Sequence, residues 1–112
     1  GCGGDRDKAK RPKMGKIACD IADFVVVTTD NPRTEVPGDI IREILAGMAG
    51  TKTPYTVVED RIEAIHWAMD HAQAGDVIVL CGKGHETYQE VGHVKHHMDE
   101  REIVADYLKS GH

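Results

Sequence analysis

The sequence predicts an α/β domain with a Rossmann-like, mostly parallel sheet flanked by helices and a C-terminal β-hairpin. Apolar, mainly β-branched runs occur at residues 24–27, 55–58 and 76–81, and segments with helical periodicity separate them. Strands that alternate with helices at this spacing form parallel sheets with right-handed crossovers. Two further short strands, residues 87–91 and 94–97, directly follow one another and predict the hairpin. The chain of 112 residues has the size of one domain.

The first helix is predicted over residues 11–22, with Pro12 in its first turn. Its apolar face is expected to contain Met14, Ile17, Ala18 and Ile21. The other helices are expected to run from Pro37 to Gly50, from Asp60 to Gly75 and onward from Asp99. Proline in a first turn, an N-cap aspartate and a terminal glycine are the usual signals for such boundaries.

The composition argues against several classes of protein. The chain has 14 basic and 19 acidic residues, a net charge of −5, whereas a general nucleic-acid binder needs a positive surface. No apolar run has membrane-spanning length, and no signal-peptide pattern opens the chain, so we expect no membrane partner. The three cysteines lack CxxC spacing, which favours a cytoplasmic protein with free thiols.

A first polar cluster directly follows the strand at residues 24–27. It contains Asp30, Asn31 and Arg33, with Pro32 ending the strand. Ligands of open α/β sheets bind beyond the carboxyl ends of the strands, and an arginine fork matches a carboxylate. This cluster is therefore a candidate site for a ligand with amino and carboxylate groups. The alternative is a simple turn with a surface arginine.

A second polar cluster follows the predicted strand at residues 76–81. Gly82 would allow close backbone approach, Lys83 could bind a phosphate or carboxylate, and Glu86 could hold an ammonium group. His85 is expected to make a structural hydrogen bond. The alternative is a flexible turn, which the equivalent positions of the two clusters make the weaker interpretation.

The first ten residues form a glycine-rich, charged loop that could bind an anion. Such a loop normally follows a strand, so we expect the chain to be a segment of a longer protein, whose missing central strand would leave the sheet open. No metal site is expected. Three histidines, His93, His96 and His97, lie close together in sequence, but His96 and His97 point to opposite faces of one strand and cannot easily share one ion.

Four motifs in order resemble the C-terminal domain of the Mur ligase family. They are residues 1–8 (Gly-Cys-Gly-Gly-Asp-Arg-Asp-Lys), 29–33 (Thr-Asp-Asn-Pro-Arg), 82–89 (Gly-Lys-Gly-His-Glu-Thr-Tyr-Gln) and 99–102 (Asp-Glu-Arg-Glu). The resemblance covers nearly the whole chain. It is closest to members that add meso-diaminopimelate, because the Asp-Asn-Pro-Arg tetrad is associated with that amino acid rather than lysine.

The resemblance implies an ATP- and Mg²⁺-dependent ligase of peptidoglycan precursor synthesis. It would join meso-diaminopimelate to UDP-MurNAc-L-Ala-D-Glu through an acyl phosphate. By the same resemblance, meso-diaminopimelate would be bound by Arg6, Asp30, Asn31, Arg33, Gly82 and Glu86. Asp5 would lie against ATP, and no catalytic residue is expected in this domain.

The resemblance further implies that residues 1–112 are one domain of a three-domain enzyme. The central ATPase domain would carry the phosphate loop and magnesium ligands, and an N-terminal domain would hold the uridine nucleotide. The fragment alone is then expected to be inactive. The alternative function is a free-standing, non-catalytic nucleotide- or amino-acid-binding domain. A metal-binding module built on the histidines has little support.

Overall fold

The structure, a computed structural model, describes residues 1–81 and 86–110. Helices and strands follow in the order α1 (Lys10–Ile21), β1 (Val25–Val27), α2 (Pro37–Ala46), β2 (Tyr55–Val57), α3 (Arg61–His71), β3 (Tyr88–Val91), β4 (Val94–His97) and α4 (Glu100–Lys109). The α/β class is confirmed.

The β-structure of the described residues consists of a parallel pair, an antiparallel hairpin and an isolated parallel bridge between Arg33 and Val91. β1 pairs with β2 in parallel, with Val25 opposite Tyr55 and Val27 opposite Val57. β3 pairs with β4 in the predicted hairpin, which turns at Gly92 with a positive φ of 61°. Glycine adopts this left-handed conformation without the steric cost of a side chain.

The predicted third strand at residues 76–81 is wrong for this structure. Residues 77–81 have no strand conformation, and Val77 is 86% exposed. A strand needs hydrogen bonds from a neighbouring strand. Among the described residues β1 pairs with β2, and none pairs with residues 77–81. The apolar sequence alone therefore does not produce a strand here.

The predicted apolar face of α1 is also wrong. Ile21 is 81% exposed, whereas Arg11, Gly15 and Cys19 are buried. The reason is close packing of α1 on α2: a Cβ on Gly15 would lie 2.4 Å from the carbonyl oxygen of Ile44. The buried face of α1 therefore consists of Arg11, Gly15 and Cys19, and Ile21 lies outside it. The core cluster consists of Cys2, Cys19, Val27, Ile40, Ile41, Ile44 and Met48.

The helix starts agree with the sequence. Pro37 occupies the first turn of α2, and the Asp60 carboxylate caps α3 by accepting from the Glu63 N–H at 2.9 Å. Asp99 caps α4 through the Arg101 N–H at 3.0 Å. The observed helix ends differ from the predicted ones. α2 ends at Ala46 and α3 at His71, each four residues before the glycine that was expected to end it.

None of the helices in residues 1–81 and 86–110 is long and apolar enough to cross a membrane.

Candidate ligand site at the carboxyl edge of the parallel strands

The first polar cluster is anchored where the two parallel strands end. The hydroxyl groups of Thr28 and Thr29 both donate to the carbonyl oxygen of Glu59, at 3.2 and 2.6 Å. The run from Thr28 to Pro32 is buried. Since β1 and β2 are parallel, both connections emerge at the same edge, and the polar residues are held there as predicted.

The glycine-rich loop lies directly against this cluster. The N–H of Gly4 donates to the carbonyl of Asn31 at 2.6 Å. A Cβ added to Gly4 would lie only 1.7 Å from the carbonyl oxygen of Pro32. No side chain fits at that distance, so glycine is required for the two segments to touch.

Arg33 and Arg6 flank the same glycine. Arg33 has a positive φ of 51°, uncommon for a residue other than glycine, and its Nη1 donates to the carbonyl of Gly4 at 3.0 Å. A Cβ on Gly3 would meet Arg33 Nη1 at 2.9 Å and Arg6 Cγ at 3.4 Å. Arg33 is half-buried and Arg6 is exposed. Two cationic side chains therefore stand on one side of the site.

Glu86 lies against the first cluster. The side-chain amide of Asn31 donates to Glu86 Oε2 at 3.2 Å and accepts from the N–H of Glu90 at 2.9 Å. Gln89 donates to the carbonyl of Asp30 at 2.7 Å. The hairpin thus docks on residues 30–33 and brings an acidic side chain beside Asn31. Side chains far apart in sequence meet in one place.

Two other predicted ligand residues have different outcomes. Gly82 lies outside the described residues. Asp5, the candidate for ATP, accepts hydrogen bonds from the hydroxyl and N–H groups of Thr34, at 2.5 and 3.3 Å. Its carboxylate therefore braces the loop that follows Arg33. The role toward ATP stays a prediction.

A cavity of about 180 Å³ lies between the glycine-rich loop and the start of α1 and is lined in part by Arg6, Lys10 and Asp30. A larger, open depression of about 640 Å³ lies beside Thr34, Glu35 and Arg42. It contains none of the predicted ligand residues. The candidate site is therefore defined by the side chains that meet around Asn31, and not by the cavity or the depression.

Arg11, which the sequence reasoning missed, supports the loops from beneath. Only 1% exposed, it donates to both Glu35 oxygens, at 3.0 and 2.7 Å, to the carbonyl of Gly3 at 2.9 Å, and to Glu43. The hydrogen bonds that Glu35 accepts from Arg11, together with one from the N–H of Asp5, lower the pKa of Glu35 to about 2. The glycine-rich loop and the loop after Arg33 are thereby joined through one ion cluster.

Arg61 is the second support that the sequence reasoning missed. It opens α3 and is 3% exposed, and its Nε donates to Glu100 at 3.0 Å. Nη1 and Nη2 donate to the carbonyls of Thr29 and Cys81, at 3.1 and 3.0 Å. A buried arginine carries no periodic signal that would separate it from a surface one.

The histidines of the hairpin do not form a metal centre in the structure's described part. No group of at least three His, Cys, Asp or Glu residues among residues 1–81 and 86–110 could hold a metal ion. His97 instead contacts Glu102 at 2.6 Å, and this hydrogen bond raises the pKa of the imidazole. The two residues form an exposed surface pair.

Fold and site together describe an α/β domain that gathers cationic and anionic side chains at one sheet edge, as a domain that recognises a charged small molecule would. Residues 1–84 match the family described as "Mur ligase, glutamate ligase domain". The chain belongs to the Mur ligase family, and the resemblance seen in its motifs is confirmed.

Curated relatives give a more specific likeness. A UDP-N-acetylmuramoyl-L-alanyl-D-glutamate--2,6-diaminopimelate ligase of Caldanaerobacter subterraneus subsp. tengcongensis is 56% identical over 96% of this chain and 22% of its own length. The ligase of the same name from Trichormus variabilis is 58% identical over 91% of this chain and 20% of its own length. The chain thus spans about a fifth of these relatives.

A solved structure of a UDP-N-acetylmuramoyl-L-alanyl-D-glutamate--2,6-diaminopimelate ligase superposes with a TM-score of 0.93 at 44% identity. The match covers 98% of this chain and 23% of that one. The fold described above is therefore also found in a domain-sized part of a diaminopimelate ligase.

Proposed function

We propose that this chain is the C-terminal, amino-acid-recognition domain of an ATP-dependent ligase that adds meso-diaminopimelate to UDP-MurNAc-L-Ala-D-Glu in peptidoglycan precursor synthesis. The observation that carries the proposal is the contact between Asn31 and Glu86 at 3.2 Å, beside Arg33. It joins two polar clusters that are 55 residues apart in sequence. The names of the relatives supply the substrate.

Meso-diaminopimelate carries an ammonium and a carboxylate at each end, so its pocket needs charges of both signs. Glu86 supplies an anion for the ammonium of one end, and Gly82, four residues earlier in the sequence, is proposed to bind the same end. Arg33 and Arg6 supply cations for carboxylates, and Asn31 a neutral donor and acceptor. Asp30 fixes the backbone of the cluster through its carbonyl, which accepts from Gln89.

Arg33 is proposed to set the choice of amino acid. Lysine lacks the second carboxylate of diaminopimelate, so a lysine-adding pocket can omit a cation that a diaminopimelate pocket needs. The left-handed backbone at Arg33 and its hydrogen bond to Gly4 aim the guanidinium at the glycine-rich loop. Because these contacts fix the direction of the guanidinium before a ligand binds, less conformational entropy is lost on binding.

In this proposal, bound ATP with Mg²⁺ supplies activation of the glutamate carboxylate. Following the family resemblance, we assign ATP and Mg²⁺ to the central domain and propose that Asp5 lies against the bound ATP. The work of this chain is to bind diaminopimelate and orient its reacting amine. Its partners are the central ATPase domain and the domain holding the nucleotide substrate, in a cytoplasmic enzyme.

The test is an assay of the full-length ligase that contains this domain. With ATP, Mg²⁺ and UDP-MurNAc-L-Ala-D-Glu, we expect amide formation with meso-diaminopimelate and little with L-lysine. Equal use of lysine would refute the specificity. The 112-residue chain alone is the matched control and is expected to be inactive. ATP binding by this chain on its own would instead favour a free-standing nucleotide-binding domain.

A further inference from the structure

The two halves of the candidate site follow different backbone segments. After Glu86 the hairpin joins them, through the parallel bridge between Arg33 and Val91 and the hydrogen bond from the Glu90 N–H to Asn31. Before the two halves, no strand pairing joins the described parts of the chain. Asp30 and Asn31 follow β1, whereas Glu86 follows residues 77–81. Among the described residues these two segments do not pair. A ligand with charges at both ends is sensitive to this separation, because misplacement of binding groups by about 1 Å can cost up to 100-fold in activity.

Arg61 connects the two segments at the points where the site begins. Its Nη1 donates to the carbonyl of Thr29, the residue before Asp30, at 3.1 Å. Its Nη2 donates at 3.0 Å to the carbonyl of Cys81, the residue before Gly82. The planar guanidinium holds these two acceptors in one fixed geometry. Its third contact, to the buried carboxylate of Glu100, fixes the guanidinium itself.

Helix stability does not account for an arginine at this position. Arg61 is the first residue of α3, where the helix dipole disfavours a positive charge. Its side chain is also buried, which costs desolvation. The contacts to Glu100 and to the two carbonyls are therefore what offsets these costs.

We infer that Arg61 is a positioning residue that holds the chain before one half of the diaminopimelate site at a fixed distance from the chain before the other half, on the side that the hairpin does not join. This inference rests on the proposed function. Arg61 touches neither half's ligand-binding side chains in the described contacts and acts through the backbone. Glu100 supports it by holding Nε.

The test is Arg61→Lys in the full-length ligase. Lysine keeps the charge for Glu100, but its three N–H groups radiate from one atom and cannot reproduce the planar bridge. We expect the KM for meso-diaminopimelate to rise about tenfold. The KM values for ATP and the nucleotide substrate should stay within about twofold, since those sites lie on other domains in the proposal.

The matched control is Arg101→Lys. Arg101 also lies in the first turn of a helix and also pairs with a carboxylate, that of Asp99, but it is exposed and contacts neither half of the site. Its substitution should leave all three KM values unchanged. An unchanged KM for meso-diaminopimelate in folded Arg61→Lys would overturn the inference, as would a parallel rise in all three values, which marks general loss of structure.

Glu100→Gln decides the question if Arg61→Lys does not fold. Glutamine still accepts from Nε but lacks the charge that fixes the guanidinium, so a smaller rise of about threefold in the same KM is expected. No rise overturns the inference. If the wild-type enzyme does not ligate diaminopimelate at all, the proposed function itself fails, and that result is visible before any variant is tested.

Discussion

Two buried arginines support the candidate site in different ways. Arg11 is held mainly by two carboxylates, Glu35 and Glu43, which remain partly exposed. Arg61 is held by one buried carboxylate, Glu100, and by two backbone carbonyls. The first therefore resembles an ion cluster that water can partly replace, whereas the second is a buried bridge between chain segments. A buried arginine can therefore hold a loop mainly through ion pairs with carboxylates, as Arg11 does, or mainly through hydrogen bonds to backbone carbonyls, as Arg61 does.

The largest expected effect comes from removing the buried bridge. Arg61→Ala leaves Glu100 without its cation in a site that is 6% exposed, and loss of one partner of a buried ion pair costs about 3–5 kcal/mol. Urea unfolding of the chain, followed through its single tryptophan, Trp67, measures this loss. Arg11→Ala is the comparison and should cost less, because water can reach its carboxylates. Equal or reversed losses would contradict the distinction between the two arginines.

A smaller effect is expected when either of two glycines is replaced, because a Cβ at each position would clash at the same distance. A Cβ would lie 1.7 Å from the Pro32 carbonyl at Gly4 and 1.7 Å from the Pro12 carbonyl at Gly47. Alanine at either position should cost about 1–3 kcal/mol in unfolding free energy, because the backbones must separate.

The two glycine variants should differ in function. Gly4 touches the loop that carries Arg33, whereas Gly47 packs α2 on α1 away from the site. Assays of the full-length ligase should therefore show a raised KM for meso-diaminopimelate in Gly4→Ala only. A raised KM in both would mean that stability rather than loop contact governs binding.

The smallest expected effect is the pH dependence of the Arg11 cluster. The hydrogen bond from Arg11 lowers the pKa of Glu35 to about 2, from an ordinary value of 4.5. A depressed carboxyl pKa stabilises the fold above the unfolded value, and this contribution is lost as the pH falls from 4.5 toward 2. Urea unfolding across this range should show a steeper decline for the wild type than for Glu35→Gln. Identical slopes would mean that the ion cluster does not stabilise the fold.

The sequence predicted those elements that depend on local signals. Pro37, Asp60 and Asp99 mark helix starts because proline geometry and side-chain capping act within a few residues. The hairpin at Gly92 was predictable for the same reason.

Features that depend on distant partners were not predictable. Residues 77–81 have the composition of a strand, but a strand also requires a neighbour that composition does not specify. The exposed face of α1 has helical periodicity, yet Gly15 directs the opposite face into the core. Periodicity reports which residues share a face, and only packing decides which face is buried.

The residues of the candidate site also divide into those with a local sequence signal and those that depend on distant partners. Asp30, Asn31 and Arg33 were found from their place after a strand, and Glu86 from a similar pattern. Arg11 and Arg61, which hold these residues in place, carry no local signal, since the acceptors of their hydrogen bonds lie 8 to 39 residues away.

The most direct test of the central claim is the substrate preference of Arg33→Asn in the full-length ligase. Asparagine tolerates the left-handed backbone at this position, and the substitution removes the cation together with its contacts to Gly4 and Glu90. If Arg33 binds the second carboxylate, kcat/KM for meso-diaminopimelate should fall about 30-fold or more, equivalent to a loss of about 2–5 kcal/mol, while that for L-lysine should change little. An equal fall for both amino acids, or no fall for meso-diaminopimelate, would contradict the account.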